Sequence, residues 1–225
     1  MLKPALNEIA NDLLVGAVLF ATAGTLAWWR AWVLLVTIVS IRLIGNLSIE
    51  RVSPELLKER ARFPLRRDQS PLDRILLPSC MAAYALVVAI DGYDANHSPV
   101  LGAPSAAVSI VGLALVVLGW TLVMLTLRTN AYASTVVRHQ AERGHRVIES
   151  GVYSVVRHPM YAGLIVGMIG MGLWLGTYAG ALATALPTAI LAVRILVEEN
   201  VLRMNLAEYD SYRNRVRYRL MPGVW

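Results

Sequence analysis

Cysteine occurs once in the 225 residues, as Cys80, so the chain can form no internal disulfide and has no second thiol with which to build a metal site. Cys80 reads as a small apolar filler near a helix start. The opening stretch MLKPALNEIAND has no clustered basic region, and the apolar run behind it has no small-residue cleavage pattern, so the first span is expected to be retained. Internal repeats, low-complexity tracts and a soluble second domain are also missing, which leaves one membrane domain over 1–225. Only four histidines are present. Two of them, His139 and His145, are six residues apart with no cysteine nearby, a spacing that fits no strong ligand pattern, so no metal is expected.

Apolar residues are what the chain has in excess. They make up 56% of it, with a mean hydropathy of +0.54, more apolar surface than a soluble domain of this size can hide. The expected fold class is therefore all-α: a polytopic integral membrane helical bundle with a C-terminal cytoplasmic amphipathic helix. Six segments approach the ~20 apolar residues that a span needs: Leu13–Trp29, Trp32–Leu47, Ile75–Ile90, Ala106–Leu127, Tyr161–Leu175 and Tyr178–Val197. The fifth is short and meets the sixth at Gly176 and Thr177, so the two read as one antiparallel hairpin. Five and six full crossings both remain open.

A formal charge of +6 raises nucleic acid as a partner, but the basic residues lie between apolar runs, where a topology signal belongs. Nucleic-acid binding is therefore discounted. Seven Lys or Arg fall in Glu50–Arg74, five in Arg128–Pro159, five in Glu199–Trp225, and Lys3 precedes the first span, whereas Asp91–Ala103 holds none. With six spans the rich segments all fall on one side. That side, with both termini, is expected to be cytoplasmic, in a bacterial inner membrane. Within SPELLKERARF, Ser53 as N-cap, Pro54 at the first helical position and Glu55 in the first turn predict a short surface helix. It reads equally as a cover over a site or as a basic helix on anionic headgroups.

The segment from Thr129 to Tyr161 is long and polar, and it ends in GVYSVVRHPMYAG. Loops of this length are seldom idle. Pro159 suits a first helical turn and pushes His158 towards an extended conformation, so the fifth helix is predicted to begin at Pro159. Its free amides then favour an anionic ligand, with Arg157 adding a full charge. Gly163 and Gly167, then Gly172 and Gly176, give small-xxx-small spacings that read first as packing. At 1.5 Å per residue the two arms of the hairpin rise about 23 and about 30 Å, which brings Glu198 and Glu199 level with His158 and Arg157. Arg194 and Glu198, four apart, are expected to pair on one helix face. Leu202, Leu206, Tyr209, Tyr212 and Val216 repeat at helical spacing and predict the amphipathic helix.

ERGHRVIESGVYSVVRHPMYAG and RILVEENVLRMNLAEYDSYRNRVRYRLMP together resemble the signature of the isoprenylcysteine carboxyl methyltransferase family, itself similar to membrane phospholipid N-methyltransferases. The similarity runs from about Asn130 to Pro222. It implies an integral membrane enzyme using S-adenosylmethionine, with residues 1–127 as four spans and a surface helix and 128–225 as a cofactor-binding core around the hairpin 159–198. The family pattern puts His158, Pro159, Tyr161, Gly163, Glu198 and Glu199 around the cofactor. Gln140, Gly151 and Tyr153 contribute, and Tyr209 and Tyr212 belong to a closing helix. Arg157 and Arg194 are placed near the methyl acceptor, with the cofactor carboxylate as a competing role for Arg157. Glu198 or His158 serves as base where the acceptor is a thiol or amine; a carboxylate acceptor needs none. The expected partners are the lipid bilayer and a lipophilic or small methyl acceptor. Two other readings stand beside this one. A nicotinamide-dependent membrane sterol-type reductase demands a denser basic cluster by the pocket, and a transporter or scaffold demands polar residues deep in several spans, where only Arg42 stands.

Overall fold

The computed structural model describes residues 2–62 and 69–225, with the backbone alone for 2–9. Arg66, Arg67 and the Lys3 side chain, counted above, lie outside the described residues. Those residues contain no strand. Their helices are α1 (Leu2–Ala23), α2 (Trp29–Val52), α3 (Pro54–Arg60), α4 (Asp73–Asn96), α5 (Ala106–Thr129), α6 (Pro159–Leu175), α7 (Tyr178–Ala183), α8 (Ala185–Asn205) and α9 (Tyr209–Arg215). By length and composition four stretches suffice to cross a membrane: α2, α4, α5 and Tyr178–Asn205. Large apolar side chains such as Leu43, Ile44, Ile110 and Leu118 point outward and are exposed, as a lipid-facing surface requires and a soluble one does not tolerate in such density.

Helix boundaries follow local chemistry. Gly24, at φ +70°, ends α1, so Trp29 opens α2 and does not close the first span. The Ser105 hydroxyl accepts from Val108 N at 3.4 Å and starts α5. Pro159 occupies the first turn of α6, and Gly176, at φ +100°, ends it. The last span is two helices, not one. Thr184 separates α7 from α8 because Pro187 has no N–H for the Ala183 carbonyl four residues back, and its ring crowds that carbonyl. The expected amphipathic helix is likewise divided. Leu206 leaves the helical region at φ −124°, ψ 105°, and the buried face of Leu206, Tyr209, Tyr212 and Val216 packs with Leu202 and Val147.

α6 lies backbone to backbone on α5. A methyl built on Gly119 would sit 2.5 Å from the Gly163 carbonyl, and one on Gly170 would sit 2.6 Å from the Gly112 carbonyl. Contact at this distance is possible only between glycines. α8 makes its main backbone approach to α4 instead, and the α6 and α8 side chains Tyr161, Met168, Leu191 and Ile195 meet across the wider gap. That gap opens at the end of the bundle where α4 and α6 begin and α8 ends.

Candidate functional site

The start of α6 is held by the end of the chain. Arg157 N donates to Tyr218 O at 3.0 Å and His158 N to Arg219 O at 2.9 Å. At this point Glu199 is buried between two arginines and a histidine. Arg157 Nε donates to Glu199 Oε1 at 2.7 Å, His158 Nε2 lies 3.3 Å from the same oxygen, and Arg219 Nε donates to Oε2 at 3.1 Å. Arg157 Nη1 completes the knot by donating to the Val216 and Arg217 carbonyls, both at 2.7 Å. These bonds tie α6, α8 and the C-terminal segment together. Arg157 is therefore spent on protein groups and is not a free rim charge.

A second buried network lies one turn deeper. Tyr161 Oη donates to Glu198 Oε2 at 2.6 Å and accepts from Arg194 Nη1 at 2.9 Å. Arg194 does not pair with Glu198, as the four-residue spacing led us to expect. Its Nε donates to Asp73 Oδ1 at 2.7 Å and its Nη2 to Thr135 O at 2.6 Å. Asp73 also accepts from Gln69 Nε2 at 2.7 Å and Val137 N at 2.8 Å. A fully buried carboxylate needs a full cation and further donors, whereas the half-exposed Glu198 does not. The tertiary partner therefore outcompetes the local one.

Between these networks and the polar segment 130–148 lies a narrow cavity of about 80 Å³ that opens at the surface. Gln140, Tyr153, Arg157, His158, Tyr161, Arg194, Glu198, Tyr209 and Tyr212 line it. Among the described residues on its wall Glu198 is the only acid. Glu199, Pro159, Gly163 and Gly151 are not on the wall. Glu199 fastens the C-terminal segment, Pro159 starts α6, Gly163 faces Gly119 of α5, and Gly151 makes a left-handed turn at φ +60°. Gln140 is consumed by its own loop, donating to Tyr132 O at 2.7 Å. Tyr153 accepts from Asn130 Nδ2 at 2.9 Å, and its carbonyl accepts from the Tyr212 hydroxyl at 2.8 Å. Burial raises the pKa of Tyr153, Tyr209 and Tyr212, so all three remain hydroxyl donors at neutral pH.

Two residues at the site carry no sequence signal for their role. Asp73, behind the wall, anchors Arg194 from outside the motif-bearing region. His145 is on the wall. Its ring lies tilted against Tyr132, with centroids 4.7 Å apart, and stacks on His139 at 5.6 Å. Burial, with His139 and Arg138 beside it, pushes His145 down to about 4 from an ordinary 6.5. Between those values the unfolded chain binds the extra proton, so stability falls as pH drops from about 6.5 towards 4. Thermal unfolding of the wild type should show this decline, and His145→Gln should flatten it.

Known proteins share parts of this chain. Residues 107–208 match the family model described as phospholipid methyltransferase. A probable protein-S-isoprenylcysteine O-methyltransferase from Oryza sativa is 34% identical over 112 residues, 48% of this chain and 59% of the relative. The protein-S-isoprenylcysteine O-methyltransferase of Saccharomyces cerevisiae is 32% identical over 111 residues, 48% of this chain and 46% of the relative. The matched part spans about half the length of these curated relatives. The eukaryotic intramembrane Ras methyltransferase ICMT (isoprenylcysteine carboxyl methyltransferase) superposes with a TM-score of 0.53 at 20% identity, over 98% of this chain and 86% of that one. Residues 107–208 contain nearly all of α5, the polar segment, α6, α7 and α8, which build most of the cavity wall. The chain is thus an integral membrane protein with the fold of the isoprenylcysteine carboxyl methyltransferase, and its residues 107–208 are similar to the phospholipid methyltransferase family.

Proposed function

We propose that this protein is a membrane methyltransferase that uses S-adenosylmethionine and methylates a lipophilic acceptor of the isoprenylcysteine class. The observation that carries the reading is the position of Glu198. It is the one acid among the described residues on the wall of a cavity built largely from the family-matched region, and one of its oxygens is already oriented by Tyr161. The cofactor has a sulfonium and an ammonium that need acceptors, ribose hydroxyls, and a carboxylate that needs donors. Glu198 and loop carbonyls are suited to the first groups, and the hydroxyl of Tyr209 is suited to donate, whereas that of Tyr212 already donates to Tyr153 O.

Bound S-adenosylmethionine supplies an activated methyl group. What remains for the protein is alignment of the acceptor and exclusion of water. Tyr161 and Arg194 hold the Glu198 carboxylate in place, and the Arg157–Glu199 knot keeps the C-terminal segment over the α6 start. A carboxylate acceptor needs no base. A thiol or amine acceptor would give its proton to Glu198 or His158. The acceptor enters from the bilayer side. We place the basic segments, the cavity and both termini on the cytoplasmic side by the distribution of Lys and Arg, with α1 and α6 as short additional crossings.

The competing readings have less support. Phosphate groups of a nicotinamide cofactor call for a cluster of free cations, yet three of the four arginines on the wall, Arg138, Arg157 and Arg194, are already bound to Glu59, Glu199 and Asp73 respectively, and Arg146 alone is left. Arg42, the mid-span charge that a transporter would use, is paired with Asp12 of α1 and lies 5.5 Å from the Trp120 ring centroid.

Transfer of labelled methyl groups to a panel of prenylcysteine analogues, aminophospholipids and small thiols tests the proposal. Label is expected in the prenylcysteine arm. Labelling confined to aminophospholipids, or none in any arm, would overturn it. Glu198→Gln removes the negative charge that faces the cofactor cation, and it should weaken cofactor binding by about 1–3 kcal/mol, roughly ten- to a hundredfold in Kd.

A further inference from the structure

We propose that the junction of α1, α4 and α7, at the end of the bundle opposite the cavity, binds a hard monovalent cation, with Asp91 as its principal ligand. Asp91 is fully buried, and neither of its carboxylate oxygens has a hydrogen-bond partner among the described residues. Buried carboxyls are otherwise almost always satisfied, so an orphaned one points to a partner of another kind.

The surroundings supply oxygen and no protein cation. Asp94, three residues on and therefore on the same face of α4, is 4% exposed. It is anchored, accepting from Val100 N at 2.8 Å and from Thr177 Oγ1 at 2.5 Å. α7 presses its backbone on Asp91, since a methyl on Gly180 would sit 1.7 Å from Oδ1. α1 closes in at the adjacent Gly92, where a methyl would sit 2.1 Å from Thr22 Oγ1. The Thr22 hydroxyl gives its proton to Val18 O at 2.9 Å, which leaves its lone pairs available as acceptors. Between Arg74 and Arg128 the sequence has neither Lys nor Arg. Arg30, which lies at this end, is committed to Ser109 Oγ and Trp174 O, each at 3.2 Å.

Two adjacent carboxyls buried without a cation are costly in a membrane protein, and the missing charge is the ordinary explanation for such a pair. Carboxylate and hydroxyl oxygens without sulfur or imidazole select a hard ion. Asp91 is the group left to bind it, because Asp94 is already employed in holding the α6–α7 turn through Thr177. The ion would then cement α4 to α7, far from the methyl-transfer cavity and independent of what that cavity does.

Thermal unfolding of the detergent-purified full chain in sodium chloride, against N-methylglucamine chloride at equal ionic strength, provides the test. The midpoint should rise with sodium and saturate, as binding to the folded state alone requires, and Asp91→Asn should abolish the rise. Equal midpoints in the two salts would overturn the proposal, as would a rise that survives in Asp91→Asn. Should that variant fail to fold, sodium titration of the wild-type protein by calorimetry decides the matter. Saturable heat supports the site and its absence removes it.

Discussion

Asp73→Ala is expected to lower the free energy of unfolding by about 3–5 kcal/mol, the usual loss when one partner is removed from a buried ion pair. The Asp73 side chain is fully buried and that of Arg194 is 6% exposed. Without the carboxylate, the guanidinium stays in the bundle with no directly bonded counter-charge, and Gln69 Nε2 and Val137 N lose their acceptor. Against a total stability of about 5–15 kcal/mol, this is a large share. Asp73→Asn keeps an acceptor oxygen and should lose less. Denaturation in detergent, followed by circular dichroism, ranks the three proteins. Cofactor affinity should fall along the same series, because Arg194 holds Tyr161 and Tyr161 holds Glu198.

The second large effect separates two glycines that look equivalent in the sequence. Gly163→Ala places a methyl 2.6 Å from the Gly119 carbonyl and 3.2 Å from Val123 N, so α5 and α6 must move apart. Such overpacking typically costs about 1–3 kcal/mol. At Gly167 the nearest atom to an added methyl is 3.8 Å away. Gly167→Ala has room and gains helix propensity, so it should be neutral or stabilising by up to about 1 kcal/mol. Thermal midpoints of the two variants should diverge. Equal loss in both would mean that the glycine seam is not where the structure has it.

Much of the architecture was legible because it depends on local chemistry. Pro159 marks a helix start by lacking an N–H, Gly176 marks an end by its positive φ, and apolar run length marks the spans. The approach of Glu198 and Glu199 to the α6 start was also readable, from helix rise alone. Harder to read was everything decided by a distant partner. The four-residue spacing of Arg194 and Glu198 suggests a pair, but Asp73, 121 positions away in sequence, offers a buried charge and wins. Gly163 and Gly167 fit a small-xxx-small pattern, yet the contact with α5 selects Gly163 and Gly170, seven apart. Glu199 and Arg157 carry the motif, and each ends up employed by the other, a role that spacing does not reveal. Pro187 lies inside an apolar run long enough to read as one span, and the run length hides the break at Thr184.

The central claim is that the cavity beside Glu198 takes a sulfonium nucleotide. Calorimetric titration of the purified protein with S-adenosylmethionine, S-adenosylhomocysteine and NADPH tests it most directly. The account predicts saturable heat with both sulfur nucleotides, weakened in Glu198→Gln, and none with NADPH. Saturable binding of NADPH with no response to either sulfur nucleotide would contradict it.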